Sequence, residues 1–292
     1  MNRPELPWDI AVVGLGINAV HQTSREVEET IRRCRQTFVI DVSLGVVDYL
    51  KTLCPSVTDL MPKYSTETHR RLIYRRMASE VVAAATQNAP VCFATYGHPK
   101  TYCHPTTLIQ RTARVLGLKV EVLAGISSLD TLLIDLDIDP GVDGLQVYDA
   151  TDVVVRRRPL QTDVSCVIMQ APIVLEAYNR RGAPAIDNLR LLQNYLAEFY
   201  PLTHDVVLVI SKTHPLLESI RQSIPLGKLA SSLATRQGSL IGTLFIPPLK
   251  HREVMDQKLA DRMKLPGRKG VARPGTTIPR RSGRPPIGPR DE

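Results

Sequence analysis

Apolar, strand-like runs alternate with helix-like stretches along most of this chain, and that alternation is what most narrows its fold. Ile10–Gly16 (IAVVGLG) is a continuous apolar run closed by a glycine turn, as expected of a buried strand. Thr23 and Glu26 form a capping-box pair that predicts a helix to about Gln36. Thr37–Val42 predicts a second strand, and a long helix from Thr66 to about Gln87 stops before Pro90. Val91–Gly97 predicts a third strand. Pro105 then opens a helix that Gly117 ends, and Leu118–Gly125 predicts a fourth strand. Strands joined by helical crossovers imply an α/β fold with a parallel sheet covered by helices.

The turn-rich stretch Leu136–Gly144 reads as a connector into a second α/β unit. That unit takes strands at Val164–Gln170, Asp205–Ser211 and Gly242–Pro248, with a helix at Asp187–Tyr200. The expected organisation is an N-terminal α/β domain over residues 8–125 and a C-terminal α/β domain over residues 126–249. An amphipathic helix over residues 250–265 and a basic, Pro/Gly-rich disordered tail over residues 266–292 follow.

Of the 292 residues, 43% are hydrophobic and 23% charged, an ordinary balance for a globular chain. No apolar run reaches the roughly 20 residues of a membrane span. The N-terminus has no signal-peptide pattern, so a cytoplasmic location is expected. The net charge of +8 is concentrated at one end: Pro266–Glu292 holds seven Lys/Arg and two acids. A solvated tail accounts for that charge, and nucleic-acid binding is not expected. The five cysteines, Cys34, Cys54, Cys92, Cys103 and Cys166, are scattered without a CxxC pair. They read as reduced core thiols, and no metal site is expected.

Candidate chemistry falls at strand ends, where open parallel sheets bind ligands. Gly14 and Gly16, in Gly14-x-Gly16-x-x-Ala19, match a dinucleotide fingerprint, with Asp41 after the second strand as a possible ribose partner. Tyr96-Gly97-His98-Pro99 follows the third strand, and Ser127 and Ser128 follow the fourth, where either could equally cap a helix. Gln170 and Thr243 lie at strand ends of the second unit. In Asp59–Ala78, Arg70 and Tyr74 stand four residues apart on one helix face, with Tyr64 just before it. Two phenols and a guanidinium together could orient an amide and polarise its carbonyl. On a helix surface the same residues also serve as a solvated or half-buried face.

Taken in order, VVGLGI, the Tyr64/Arg70/Tyr74 spacing, TYGHP, LAGISSLD, LDIDPG, Asp149–Thr151 and FIPP resemble the tetrapyrrole methylase superfamily. Within it they resemble the borosin peptide α-N-methyltransferases more than the porphyrin enzymes, over roughly Asp9–Leu265. Porphyrin methylases typically carry Gly-Pro in the first loop and Gly-Asp-Pro in the third; here those positions read GLGIN and GHPKT. The resemblance implies two α/β domains with S-adenosylmethionine bound in the cleft between them. It implies that Tyr64, Arg70 and Tyr74 are catalytic. It places Gly14, Gly16, Tyr96, His98, Tyr102, Ser127, Ser128, Gln170 and Thr243 on the cofactor. A further aromatic position of the family is Met61 here, which makes the pocket more apolar.

The resemblance also implies a homodimer and a ribosomally made peptide as substrate. In fused relatives a Val/Ile/Gly-rich core follows the segment matching Lys250–Leu265. Here the tail is Arg/Pro/Gly-rich, so a separate precursor peptide is the expected partner, with methylation of the tail itself as the other possibility. Two other readings remain open on the residues. One is a methyltransferase for tetrapyrroles or other small molecules; the other is a non-catalytic peptide- or nucleic-acid-binding protein. The expected chemistry gives Arg70 the amide carbonyl and a tyrosine the amide proton, with Arg70 lowering the phenol's pKa.

Overall fold

Two five-stranded sheets organise the chain in the computed structural model, which describes residues 7–64, 68–179, 182–235, 242–250 and 252–263. The first sheet holds β1 (Ile10–Gly14), β2 (Gln36–Ile40), β3 (Val57–Asp59), β4 (Val91–Thr95) and β5 (Val120–Leu123), in the order β3-β2-β4-β1-β5. Every pairing in it is parallel. β1 and β4 are buried along their whole length, which is why they are continuous apolar runs rather than alternating ones.

The helices of this part are α1 (Ala19–Gln22), α2 (Arg25–Arg33), α3 (Val46–Leu53), α4 (Arg70–Asn88) and α5 (His104–Val115). One face of the sheet packs Val12, Phe38 and Phe93 against Ile73, Met77 and Val81 of α4 and Ile109 of α5. The other packs Ala11, Val13 and Val39 against Val27 and Ile31 of α2 and Leu50 of α3. The expected capping box shifts by one residue. Ser24 caps α2, accepting from Val27 N at 3.2 Å, while Thr23 donates to the Ala19 carbonyl at 2.6 Å and so closes α1. α4 begins at Arg70, with His69 as its N-cap; residues 65–67 of the expected start lie outside the described residues.

The second sheet holds β6 (Leu145–Asp149), β7 (Ser165–Met169), β8 (Asp205–Ile210), β9 (Ile220–Pro225) and β10 (Thr243–Ile246), in the order β6-β7-β10-β8-β9. Its helices are α6 (Ser128–Leu136), α7 (Pro140–Asp143), α8 (Ala150–Arg156), α9 (Ile186–Leu196) and α10 (Leu229–Ala234). Only β6 and β7 pair in parallel; the other three pairings are antiparallel. α9 and α10 cover one face through Leu189, Leu192, Leu196 and Leu233. α6, which follows β5 of the first sheet, covers the other face through Leu132, packed with Val167, Met169, Val207 and Phe245.

Residues from Arg252 onward form a separate unit. There the expected helix over 250–265 is confined to α11 (Gln257–Arg262), capped by Asp256. The tail over 266–292 lies outside the described residues. Among the described residues, no helix is long and apolar enough to cross a membrane and no group of His, Cys, Asp and Glu could hold a metal ion. Cys34, Cys54, Cys92 and Cys166 are buried free thiols and Cys103 is a partly buried one.

Candidate active site

Three glycine-bearing loops meet at the carboxyl ends of β1, β4 and β5. A Cβ on Gly14 would lie 2.5 Å from the Gly97 carbonyl and 2.7 Å from the Gly125 nitrogen. Backbone therefore packs directly on backbone, with no room for a side chain. Gly16 and Gly97 exchange two main-chain hydrogen bonds, Gly16 N to Gly97 O at 3.2 Å and Gly97 N to Gly16 O at 2.8 Å. Gln22 Oε1 accepts from Ile17 N at 2.8 Å and Asn18 N at 3.0 Å. Leu15 N donates to the Thr95 carbonyl at 2.9 Å.

Every amide from Leu15 to Asn18 is thus satisfied inside the protein, and the following helix is a single turn. A pyrophosphate site needs free amides at a helix N-terminus. The dinucleotide reading of Gly14-x-Gly16 is therefore corrected: the loop provides close backbone approach without a phosphate cradle. It suits a ligand with no phosphate.

Asp41, just past β2, is buried, and its Oδ1 accepts from Ser43 N at 2.7 Å. Its Oδ2 and the Ser43 hydroxyl make no hydrogen bond of good geometry, although the Ser43 hydroxyl lies close enough to favour the charged carboxylate. Burial raises the Asp41 pKa above the usual carboxylate range. Tyr96 is pushed up to about 12, first by burial and then by the Asp41 charge. An unpartnered buried oxygen in this position fits a ligand that brings hydroxyl or ammonium donors.

His98 accepts from Lys100 N at 3.1 Å and so shapes its own turn. Tyr102 adopts the left-handed conformation (φ 55°). Its pKa is pushed to about 12 by burial and by the negative charge of Asp149 and Asp152, which ties it electrostatically to the start of α8. Ser127 caps α6 within a complete capping box with Asp130; its oxygen accepts from Leu129 N and Asp130 N, and its own N–H goes to Asp130. The structural role read for Ser127 is therefore present, and only its hydroxyl hydrogen remains for a ligand. Ser128 is half-buried in the first turn of the same helix. Gln170 sits in the left-handed conformation (φ 59°) after β7, and Thr243 is buried with its hydroxyl 3.7 Å from Met169 Sδ. Leu129 and Met169 share one hydrophobic cluster, which draws the α6 start and the end of β7 together.

Tyr64, Arg70 and Tyr74 are also brought together. The Tyr64 and Tyr74 rings lie edge to face, centroids 6.0 Å apart at 76°, and Tyr74 meets His104 of α5 at 6.0 Å. Cys103 packs against the same core cluster as both tyrosines, interacts electrostatically with Tyr64, and lies 3.5 Å from the Thr95 hydroxyl at the β4 end. Burial raises Tyr64 far above an ordinary phenol, and its interactions with Tyr74 and Cys103 raise it further. Arg70 opposes this as the weakest contribution. The expectation that Arg70 would make this phenol acidic is corrected: burial outweighs Arg70, and the Tyr64 pKa is raised.

The segment after β7 holds this group from the other side. Arg70 N donates to Ala177 O at 2.9 Å, Asn179 N to Thr68 O at 3.3 Å, and Asn179 Nδ2 to Tyr64 O at 3.0 Å. Thr151 Oγ1 accepts from Leu175 N at 2.9 Å, which gives the Asp149–Thr151 motif a positioning role. Sequence reasoning missed His104 and Asn179. His104 lies outside the motifs that carry the resemblance, and Asn179 carries no local signal because its partner is 115 positions away.

Comparison with known proteins agrees with this architecture. Residues 9–214 match the tetrapyrrole (corrin/porphyrin) methylases. The methyltransferase/ribosomally synthesized cyclic peptide dendrothelin A precursor of Dendrothele bispora is 25% identical over 251 residues, covering 85% of this chain and 60% of that protein. The corresponding omphalotin A precursor of Omphalotus olearius is 25% identical over 259 residues, covering 88% and 61%. The chain thus spans about three-fifths of the length of these relatives. Uroporphyrin-III C-methyltransferase of Thermus thermophilus, solved with S-adenosyl homocysteine, shares the fold at a TM-score of 0.54 and 14% identity, covering 82% of this chain and 97% of that one. With residues 9–214 matched, the chain belongs to the tetrapyrrole methylase family, whose methyl donor is S-adenosylmethionine.

Proposed function

We propose that this methyltransferase acts on backbone amide nitrogens of a ribosomally made peptide. The observation that carries the reading is the clustering of Tyr64, Tyr74 and Arg70 beside the glycine junction. The likeness to fungal methyltransferase/precursor proteins adds support. S-adenosylmethionine, when bound, supplies an electrophilic methyl group on a sulfonium. The harder part is the acceptor, because an amide nitrogen's lone pair is delocalised into its carbonyl. Arg70 holds the carbonyl oxygen and stabilises the imidate-like charge that develops there. Tyr64, kept protonated by burial, donates a hydrogen bond and orients the acceptor. Tyr74 would accept a hydrogen bond from the amide N–H and relay its proton to water, passing on its own hydroxyl proton as the amide's arrives.

On the cofactor side we assign Gly14 and Gly16 to close backbone approach, and Tyr96, His98 and Tyr102 to the wall after β4. Ser127, Ser128, Gln170 and Thr243 hold the opposite wall. Asp41 receives hydroxyl or ammonium donors on its unpartnered oxygen. Asp41→Asn should weaken S-adenosylhomocysteine binding about tenfold by calorimetry. It should also raise the melting temperature of the ligand-free protein at pH 7. Because the folded pKa is raised, the penalty is absent below the usual carboxylate range and grows as pH rises through it. The gain in melting temperature should therefore vanish near pH ~4.

We read the substrate as a separate precursor peptide; residues 266–292 themselves hold six prolines, which lack an N–H to methylate. We further read the enzyme as a homodimer. Mass spectrometry after co-expression with candidate precursor peptides tests the substrate. Added methyl mass on backbone amides of the partner is expected. Methyl mass on the tail would replace the trans reading with self-methylation, and methylation of a tetrapyrrole alone would overturn the peptide reading.

A further inference from the structure

The exposed face of α4 and α5 carries more positive charge than the chemistry uses. Arg71 and Arg75 stand one turn apart on α4, and Arg111 stands on α5. All three act on His104, whose pKa is lowered first by burial and then by these cations. Among the described residues, none of the three has an ion pair; the nearby Lys63, by contrast, is paired with Glu80 at 2.6 Å. The first two turns of α4 hold Arg70, Arg71, Arg75 and Arg76 and no acid. Cations there oppose the helix dipole, so the arrangement works against the helix itself. An open groove of about 480 Å³ runs past the same helix start. His69, Arg70 and Arg71 form one wall, and Thr151, Leu175, Glu176 and Ala177 the other.

We propose that this face docks an acidic stretch of the substrate peptide. Its carboxylates would sit on Arg71, Arg75 and Arg111, and its backbone would run along the groove to Arg70. The proposal rests on the peptide-methylation reading. Three guanidinium groups with no ion pair among the described residues are suited to bidentate carboxylate recognition. His104, which touches Tyr74, joins the patch to the reacting amide, so a bound acidic flank would lead its neighbouring residues into the site. Charge excludes the chain's own tail as occupant, with its seven Lys/Arg against two acids.

The test uses the full chain saturated with S-adenosylhomocysteine and fluorescence anisotropy with three probes. These are a labelled peptide alternating Glu and Val, its Gln/Val counterpart, and a single-stranded oligonucleotide. The Glu peptide should bind about tenfold or more tightly than the Gln peptide. The Arg71→Gln/Arg75→Gln/Arg111→Gln variant should lose that preference while still binding S-adenosylhomocysteine, which certifies its fold. Equal binding of the two peptides, no binding of either, or an unchanged preference in the variant overturns the proposal. Tighter binding of the oligonucleotide through the same arginines overturns it in favour of a nucleic-acid surface. Failure of the peptide-methylation reading appears separately, as a bound peptide partner that mass spectrometry never finds methylated.

Discussion

Replacing Tyr74 with phenylalanine is expected to cut methyl transfer by about 10²–10⁴-fold, the range of a lost acid–base group. S-adenosylhomocysteine affinity should stay within about twofold of wild type, because Tyr74 is assigned to the amide and not to the cofactor. The ring contacts with Tyr64 and His104 need only the aromatic face, so the variant should fold. Tyr64→Phe should cost less, since a phenol that keeps its proton contributes only orientation. Single-turnover kinetics with an unmethylated substrate peptide separates the two. Wild-type chemistry in Tyr74→Phe would remove Tyr74 from the mechanism, and a larger loss in Tyr64→Phe would exchange the two roles.

Gly14→Ala should be damaging in a different way. Its Cβ would meet the Gly97 carbonyl at 2.5 Å and the Gly125 nitrogen at 2.7 Å, and both are backbone atoms that cannot swing aside. Overpacking of this kind costs about 1–3 kcal/mol or more. For a chain of this size each kcal/mol lowers the melting temperature by roughly 2–4 °C. On the proposed assignment the displaced atoms floor the cofactor crevice, so S-adenosylhomocysteine binding should be lost even where the protein remains folded. Thermal unfolding and calorimetry on the same sample check both. Full affinity in Gly14→Ala would show that the three-loop junction is not part of the cofactor site.

Buried elements were the legible ones. β1 and β4 are continuous apolar runs because both faces are covered, so IAVVG and VCFAT announce themselves. β3, β6 and β9 were not found, and each lies at a sheet edge. β3 is only Val57–Asp59, and β9 is exposed at five of its six residues; such strands are held by pairing and leave little apolar pattern. The antiparallel pairings of the second sheet, β10 with β7 and β8 and β8 with β9, are not legible in the strand patterns, because strand direction depends on which strands meet in space. At the site, the glycines and tyrosines were visible as residue types at strand ends. That Gln22 consumes the loop amides, or that Asp41 is left with an unpartnered oxygen, depends on atoms meeting in space. The rise of the Tyr64 pKa likewise comes from burial, which no spacing reports.

Residues 177–179 grip the start of α4 through Arg70 N, the Thr68 carbonyl and the Tyr64 carbonyl. Any movement that spreads the first sheet from the second must break these bonds or drag Tyr64 and Arg70 along. On the proposed reading, opening for exchange of spent cofactor and disarming of the amide-polarising group then become a single motion. A methyl donor arriving without the grip restored would find no competent acceptor site, which protects the reactive sulfonium from being spent on water.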